Sequence, residues 1–218
     1  MSSSAPRETI VRYTANERTN HWFIAIAFML AALSGLALFH PSLFWLSNLF
    51  GGGPWTRIVH PIIGLIMTVA FGLLAQALWK DNRMQSRDWQ WLRQVKDVVN
   101  NREERLPEVG RYNAGQKLLF FVLVVCMLGL LLSGLVIWRE VLSLYFPIGA
   151  IRLASLAHAL CAFILICAII VHIYSAIWVK GSIRAMTRGV VTPGWAWKHH
   201  RAWFRETTHA ANSRTRPD

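Results

Sequence analysis

The sequence predicts an all-α integral-membrane protein: a four-helix bundle with both termini in the cytoplasm and short helices on that surface. Three observations carry this fold class. The 218-residue chain is 54% hydrophobic and only 16% charged, against about 25% charged in a globular domain. Its 23 Lys and Arg and 11 Asp and Glu are segregated by long apolar runs. Four of those runs have the length that crosses a hydrocarbon core, about 20 residues. The same composition excludes a disordered chain, which needs low hydrophobicity, and a disulfide scaffold, because three cysteines cannot all pair.

The first span is expected over 22–39 and contains no ionisable group. Its apolar run exceeds a signal peptide's core and follows a mixed, polar segment, so it reads as retained. The second, 58–79, holds His60; the third, 118–138, holds no ionisable group; the fourth, 153–179, holds His158 and His172. Trp22, Trp79, Trp138 and Trp178 fall at span ends, where interfacial aromatics belong. Arg87 to Asn101 is Trp- and charge-rich and suits a helix lying on the membrane. The segments outside the spans are each too short for a further domain, so residues 1–218 read as one membrane domain. A Leu-Ser-Gly-Leu echo appears at 33–36 and 132–135. Cys126, Cys161 and Cys167 all lie within spans and read as small packing residues.

Orientation follows from the basic residues. Residues 1–21, 80–117 and 180–218 hold three, nine and eight Lys or Arg, whereas the other two loops hold only Arg57, Arg139 and Arg152. Both termini and the central loop are therefore expected in the cytoplasm. A net charge of +12 would by itself suit a nucleic-acid binder, but sorted by loop it is a topology signal. In the tail, Trp195, Trp197 and Trp203 interleave with Lys198, Arg201 and Arg205. Beside a span end this pattern favours anionic lipid headgroups over nucleic acid.

Ionisable side chains inside a membrane are costly and mark function. His199, His200 and His209 sit in the basic tail, where solvated surface roles suffice, and His40 suits the outer interface. Four histidines remain. His158 and His172 are fourteen residues apart on one span, which brings them to nearly the same face about 21 Å apart along the axis. One therefore lies near each membrane surface. Chain direction puts His21 level with inner His172, and His60 level with outer His158.

Two histidines at each of two depths suit few groups. Zinc takes four ligands, and no Cys, Asp or Glu is placed to complete a set. Proton relays usually add intramembrane Asp or Glu, which these spans lack. Haem iron takes two axial ligands, and without a Cys-x-x-Cys-His the haem is b-type. Pro61 after His60 suits the first turn of a helix. Gly35, on the His21 face at the outer depth, reads equally as clearance for a macrocycle or as helix packing. With both axial positions filled, such iron moves electrons and does no bond chemistry.

The polar stretch Arg111-Tyr112-Asn113-Ala114-Gly115-Gln116-Lys117 opens the third span and reads either as a helix cap or as a ligand contact. Together with Arg57–Pro61, Ser133–Trp138, Trp178–Ile183 and Trp197–His200, it resembles the gamma (cytochrome b556) subunit of respiratory, membrane-bound formate dehydrogenases over almost the whole chain. Cytochrome b subunits of nickel–iron hydrogenases and thiosulfate reductases share the looser plan and are the alternative; a haem-free membrane anchor is the remaining one. The resemblance implies a bacterial inner-membrane protein of anaerobic respiration, in complex with an iron–sulfur beta subunit bearing a membrane anchor and a molybdenum- or tungsten-containing alpha subunit that oxidises formate. It implies two haem b groups, on His60 with His158 at the periplasmic side and on His21 with His172 at the cytoplasmic side. It also implies a site for menaquinone or ubiquinone formed by Asn113, Gly115 and Gln116 with His172, and a trimer of heterotrimers.

Overall fold

A computed structural model of the protein describes residues 9–100, 102 and 105–214. Four of its helices are long and apolar enough to cross a membrane: α1 (Ala15–Phe39), α2 (Gly53–Leu78), α5 (Ala114–Ile137) and α6 (Ile148–Trp178). Between α2 and α5 lie α3 (Ser86–Arg93) and α4 (Val95–Val99). After α6 come α7 (Ser182–Arg188), α8 (Pro193–His199) and α9 (Arg201–Arg214). Two residues before α1 and two between α7 and α8 pair as strands, β1 (Ile10–Val11) and β2 (Val190–Val191). The chain divides into two compact units.

The first unit, Thr19–Ala77 with Phe121–Tyr174, holds most of the four long helices. Ala27, Ala31, Met67, Cys126, Met127 and Leu165 form its core. The small pair Ala27 and Ala31, one turn apart, lets helices approach closely, as membrane packing favours. At Gly129 a Cβ would lie 2.6 Å from the Cys161 sulfur, so α5 and α6 touch there backbone to side chain. The Asn20 amide donates to the Ala70 carbonyl at 3.0 Å and ties α1 to α2. Large apolar side chains such as Ile26, Val69, Val125 and Phe163 face outward, a pattern that lipid covers and water would not. His40 caps the 3-10 helix Pro41–Phe50, accepting from the Ser42 N–H at 3.2 Å. Gly51 and Gly52, at φ +83° and +94°, make the left-handed turn into α2 that side-chain-bearing residues avoid.

All four helices begin before the apolar runs do. For α2 the difference corrects a reading: Pro61 lies well inside the helix, not in its first turn. The two glycines start α2 two turns ahead of His60. The expected single surface helix over 87–101 is two short helices broken at Gln94.

The second unit comprises the chain up to Arg18, Leu78–Phe120 and the chain from Ser175. Ala185, Val191, Ala196 and Trp203 of the last segment form its core, and Ile10 and Tyr13 of the first pack against it. Ile10 pairs with Val191 and Val11 with Val190, antiparallel. At Gly189 (φ +81°) a Cβ would sit 2.7 Å from the Tyr13 carbonyl, so the segment before α1 is pinned to the one after α7.

Candidate functional site

Within the first unit the four intramembrane histidines meet in two pairs. The rings of His60 (α2) and His158 (α6) have centroids 6.2 Å apart at an interplanar angle of 72°. His21 (α1) and His172 (α6) are also 6.2 Å apart, at 52°. This spacing accommodates one metal atom between two rings, at a metal–imidazole bond of about 2 Å on each side. Among the described residues no group of three or more His, Cys, Asp or Glu is placed to hold a metal ion. A bare ion would thus lack ligands, whereas haem brings its own four and needs two. The donor set fits haem.

The two pairs are supported differently. Ser34 Oγ lies 2.9 Å from His60 Nδ1, and Ser133 Oγ lies 3.0 Å from His158 Nδ1. At the other pair, His21 Nδ1 is buried without a hydrogen-bond partner. Gly35 stands against His60: a Cβ there would come within 3.0 Å of its Cε1. The space that Gly35 leaves is therefore taken by the histidine ring itself, and Gly134 leaves the same kind of space for His158, at 3.3 Å. The sequence pointed to Gly35 but not to Ser34, Ser133 or Gly134, although the Leu-Ser-Gly-Leu echo was their signal.

The Arg111–Lys117 stretch lies in the second unit. Asn113 and Gln116 form a reciprocal cap on α5: the Asn113 N–H donates to Gln116 Oε1 at 3.0 Å, and the Gln116 N–H to Asn113 Oδ1 at 2.9 Å. This satisfies two of the amides a helix start leaves orphaned, and the two side-chain NH2 groups take no part in it. Gly115 admits the Trp91 indole, whose Cη2 would be 3.3 Å from a Cβ. Arg111 bridges Glu17 at 2.9 Å and Asp81 at 2.7 Å. Lys117 is buried and donates to Asp88 at 2.7 Å and to the Arg83 carbonyl at 3.0 Å.

The same unit corrects the reading of His200 as a surface residue: it is 2% exposed. Its Nδ1–H donates to the Gly110 carbonyl at 2.9 Å, and its Nε2 accepts from Arg12 at 3.3 Å. Burial, reinforced by the Arg12 charge, holds its pKa down to about 3. Arg12, itself buried, lies 4.4 Å from the Trp203 ring centroid and 5.6 Å from that of Tyr112, where ring faces attract a desolvated cation. It also donates to the Arg111 carbonyl.

The family of prokaryotic cytochrome b561 matches residues 12–189. The chain is 44% identical over 200 residues to the formate dehydrogenase cytochrome b556(fdo) subunit of Escherichia coli K12, covering 92% of this chain and 94% of that one. It is 41% identical to the formate dehydrogenase cytochrome b556 subunit of Haemophilus influenzae, over 90% of this chain and 83% of that one. It is 40% identical to the nitrate-inducible formate dehydrogenase cytochrome b556(Fdn) subunit of Escherichia coli K12, over 92% and 93%.

Proposed function

The chain belongs to the prokaryotic cytochrome b561 family, among the cytochrome b556 subunits of formate dehydrogenase, and from that premise we propose that it is the membrane subunit of a formate:quinone oxidoreductase and holds two b haems. The observation that carries this reading is the pair of histidine pairs, each with rings 6.2 Å apart. His60 and His158 hold one haem and His21 and His172 the other. Haem supplies one-electron carriage between a partner iron–sulfur subunit at the periplasmic side and quinone at the cytoplasmic side. With two histidine nitrogens holding each iron, these residues would exclude substrate and water from it. The excess of basic residues in 1–21, 80–117 and 180–218 supports placing the His21–His172 pair nearer the cytoplasm.

The quinone reading for Asn113, Gly115 and Gln116 rests on the resemblance of the Tyr-Asn-Ala-Gly-Gln stretch. The amide NH2 groups of Asn113 and Gln116, which the helix cap does not use, are donors suited to a quinone carbonyl. The relatives' names favour formate dehydrogenase over a hydrogenase or thiosulfate reductase as the parent complex, and the co-purifying subunits test that choice directly. For the haem ligands the test is His158→Ala in the purified complex. One b-type component should disappear from the reduced-minus-oxidised spectrum and quinone reduction should cease, while dye-linked formate oxidation by the partner subunit continues. An unchanged two-component spectrum would overturn the ligand assignment.

A further inference from the structure

We propose that Ser34 and Ser133 are positioning residues for the haem ligands His60 and His158, fixing which ring nitrogen faces the iron and biasing that one haem toward the oxidised state. The inference rests on the reading that this pair holds a haem, and it goes further by distinguishing the two haems.

A hydroxyl carries one hydrogen. Ser34 Oγ lies 2.7 Å from the Leu30 carbonyl and 3.1 Å from the Ala31 carbonyl, and both can only accept. Its hydrogen therefore goes to the helix backbone, the usual bond of a serine within a helix. The bond to His60 Nδ1 at 2.9 Å must then run the other way, from Nδ1–H to Oγ. Ser133 repeats the arrangement: it donates to the Gly129 carbonyl at 2.5 Å and accepts from His158 Nδ1–H at 3.0 Å. Both imidazoles are thereby held as the tautomer with Nε2 unprotonated and its lone pair available to a metal.

The following glycine completes the device. Gly35 and Gly134 clear the Cε1 edge of the ring whose Nδ1 the serine holds. Serine and glycine stand on the first helix of a pair, α1 or α5, and the histidine on the second, α2 or α6. The two copies of Leu-Ser-Gly-Leu are thus two copies of one ligand-orienting contact. His21 has no counterpart, since its Nδ1 is buried without a partner.

Giving Nδ1–H to an acceptor raises the basicity of the ligating nitrogen. Each serine oxygen has given its own hydrogen to a carbonyl, and such chains polarise the next bond. A more basic ligand favours ferric over ferrous iron. The two serines therefore lower the midpoint potential of the His60–His158 haem and leave the other untouched.

The experiment is a potentiometric titration of the b-type absorbance in the purified complex, for the wild type, Ser34→Ala, Ser133→Ala and the double variant. Thr68→Ala is the control, because Thr68 makes the same backbone bond, to the Gly64 carbonyl at 2.8 Å. The component that His158→Ala removes should move to higher potential in each serine variant, and further in the double one. The component that His21→Ala removes should stay, and Thr68→Ala should move neither. Loss of the His158-dependent haem alone from a serine variant is the stronger form of the same result. Superimposable titrations for the wild type and a double variant that keeps both haems would overturn the inference, as would movement of the His21-dependent component. A wild-type complex without two b components would instead overturn the underlying haem reading.

Discussion

His200 shows how far a single side chain's chemistry can depart from its sequence neighbourhood. It sits among Lys198, His199 and Arg201, a setting that reads as solvated, yet it is 2% exposed. Trp195 and Trp203 lie against it locally, but its hydrogen-bond partners are Arg12 and Gly110, far away in the chain, and nothing local signals that meeting. Its titration has a definite consequence. An unfolded histidine takes up a proton near pH 6.5, whereas folded His200 resists until about pH 3. Between those values the unfolded state binds the extra proton, so this stabilising contribution is fully present above pH 6.5. It is lost as pH falls from there toward 3, at about 1.4 kcal/mol per pH unit. Protection factors of the β1–β2 amides in the solubilised complex, which divide out the pH dependence of intrinsic exchange, should therefore fall with acidification below pH 6.5, and His200→Gln should flatten that dependence. A wild-type profile that is flat down to pH 4 would show that His200 is not held neutral by its burial.

At the scale of the element, apolar length located the four long helices but not their ends. A run of apolar residues marks the length that lipid contacts, and a helix goes on beyond it for as long as its terminal amides find partners. In α1 those partners come from Thr14 and Glu17, which bond reciprocally at 2.7 and 3.2 Å, so the helix starts at Ala15 rather than Trp22. In α5 they come from Asn113 and Gln116. The pairing of the histidines was legible because it depends only on helical rise and chain direction. The serine contacts were not, since they depend on how two helices rotate against each other. The link between α3 and α5 carries a prediction of its own. Lys117 and Asp88 are 2.7 Å apart with side chains 4% and 5% exposed, so removing one partner leaves a buried charge. Lys117→Met should cost about 3–5 kcal/mol, and Lys117→Met with Asp88→Leu should recover most of it. Thermal denaturation of the detergent-solubilised complex, compared between single and double variants, measures this; equal losses in both would mean that the pair is not coupled.

For the whole molecule the proposed direction of electron flow rests on the distribution of charge. Three, nine and eight basic residues flank one side of the spans and three the other, so a reporter fused after residue 218 should behave as cytoplasmic. One inserted between residues 139 and 147 should behave as periplasmic. The opposite pattern would reverse the proposed direction of electron flow. Inward flow stores about 2.3 kcal/mol per electron for each 100 mV of membrane potential, and that store is useful only if protons do not leak along the same route. The serine contacts bear on this. From His60 the hydrogen-bonded chain runs through Ser34 to the Leu30 carbonyl, and from His158 through Ser133 to the Gly129 carbonyl. A peptide carbonyl at the end of such a chain has no hydrogen to pass on. Each path is a dead end for protons, so the two contacts proposed to orient the ligands offer no route at that level for the back-flow that would discharge it.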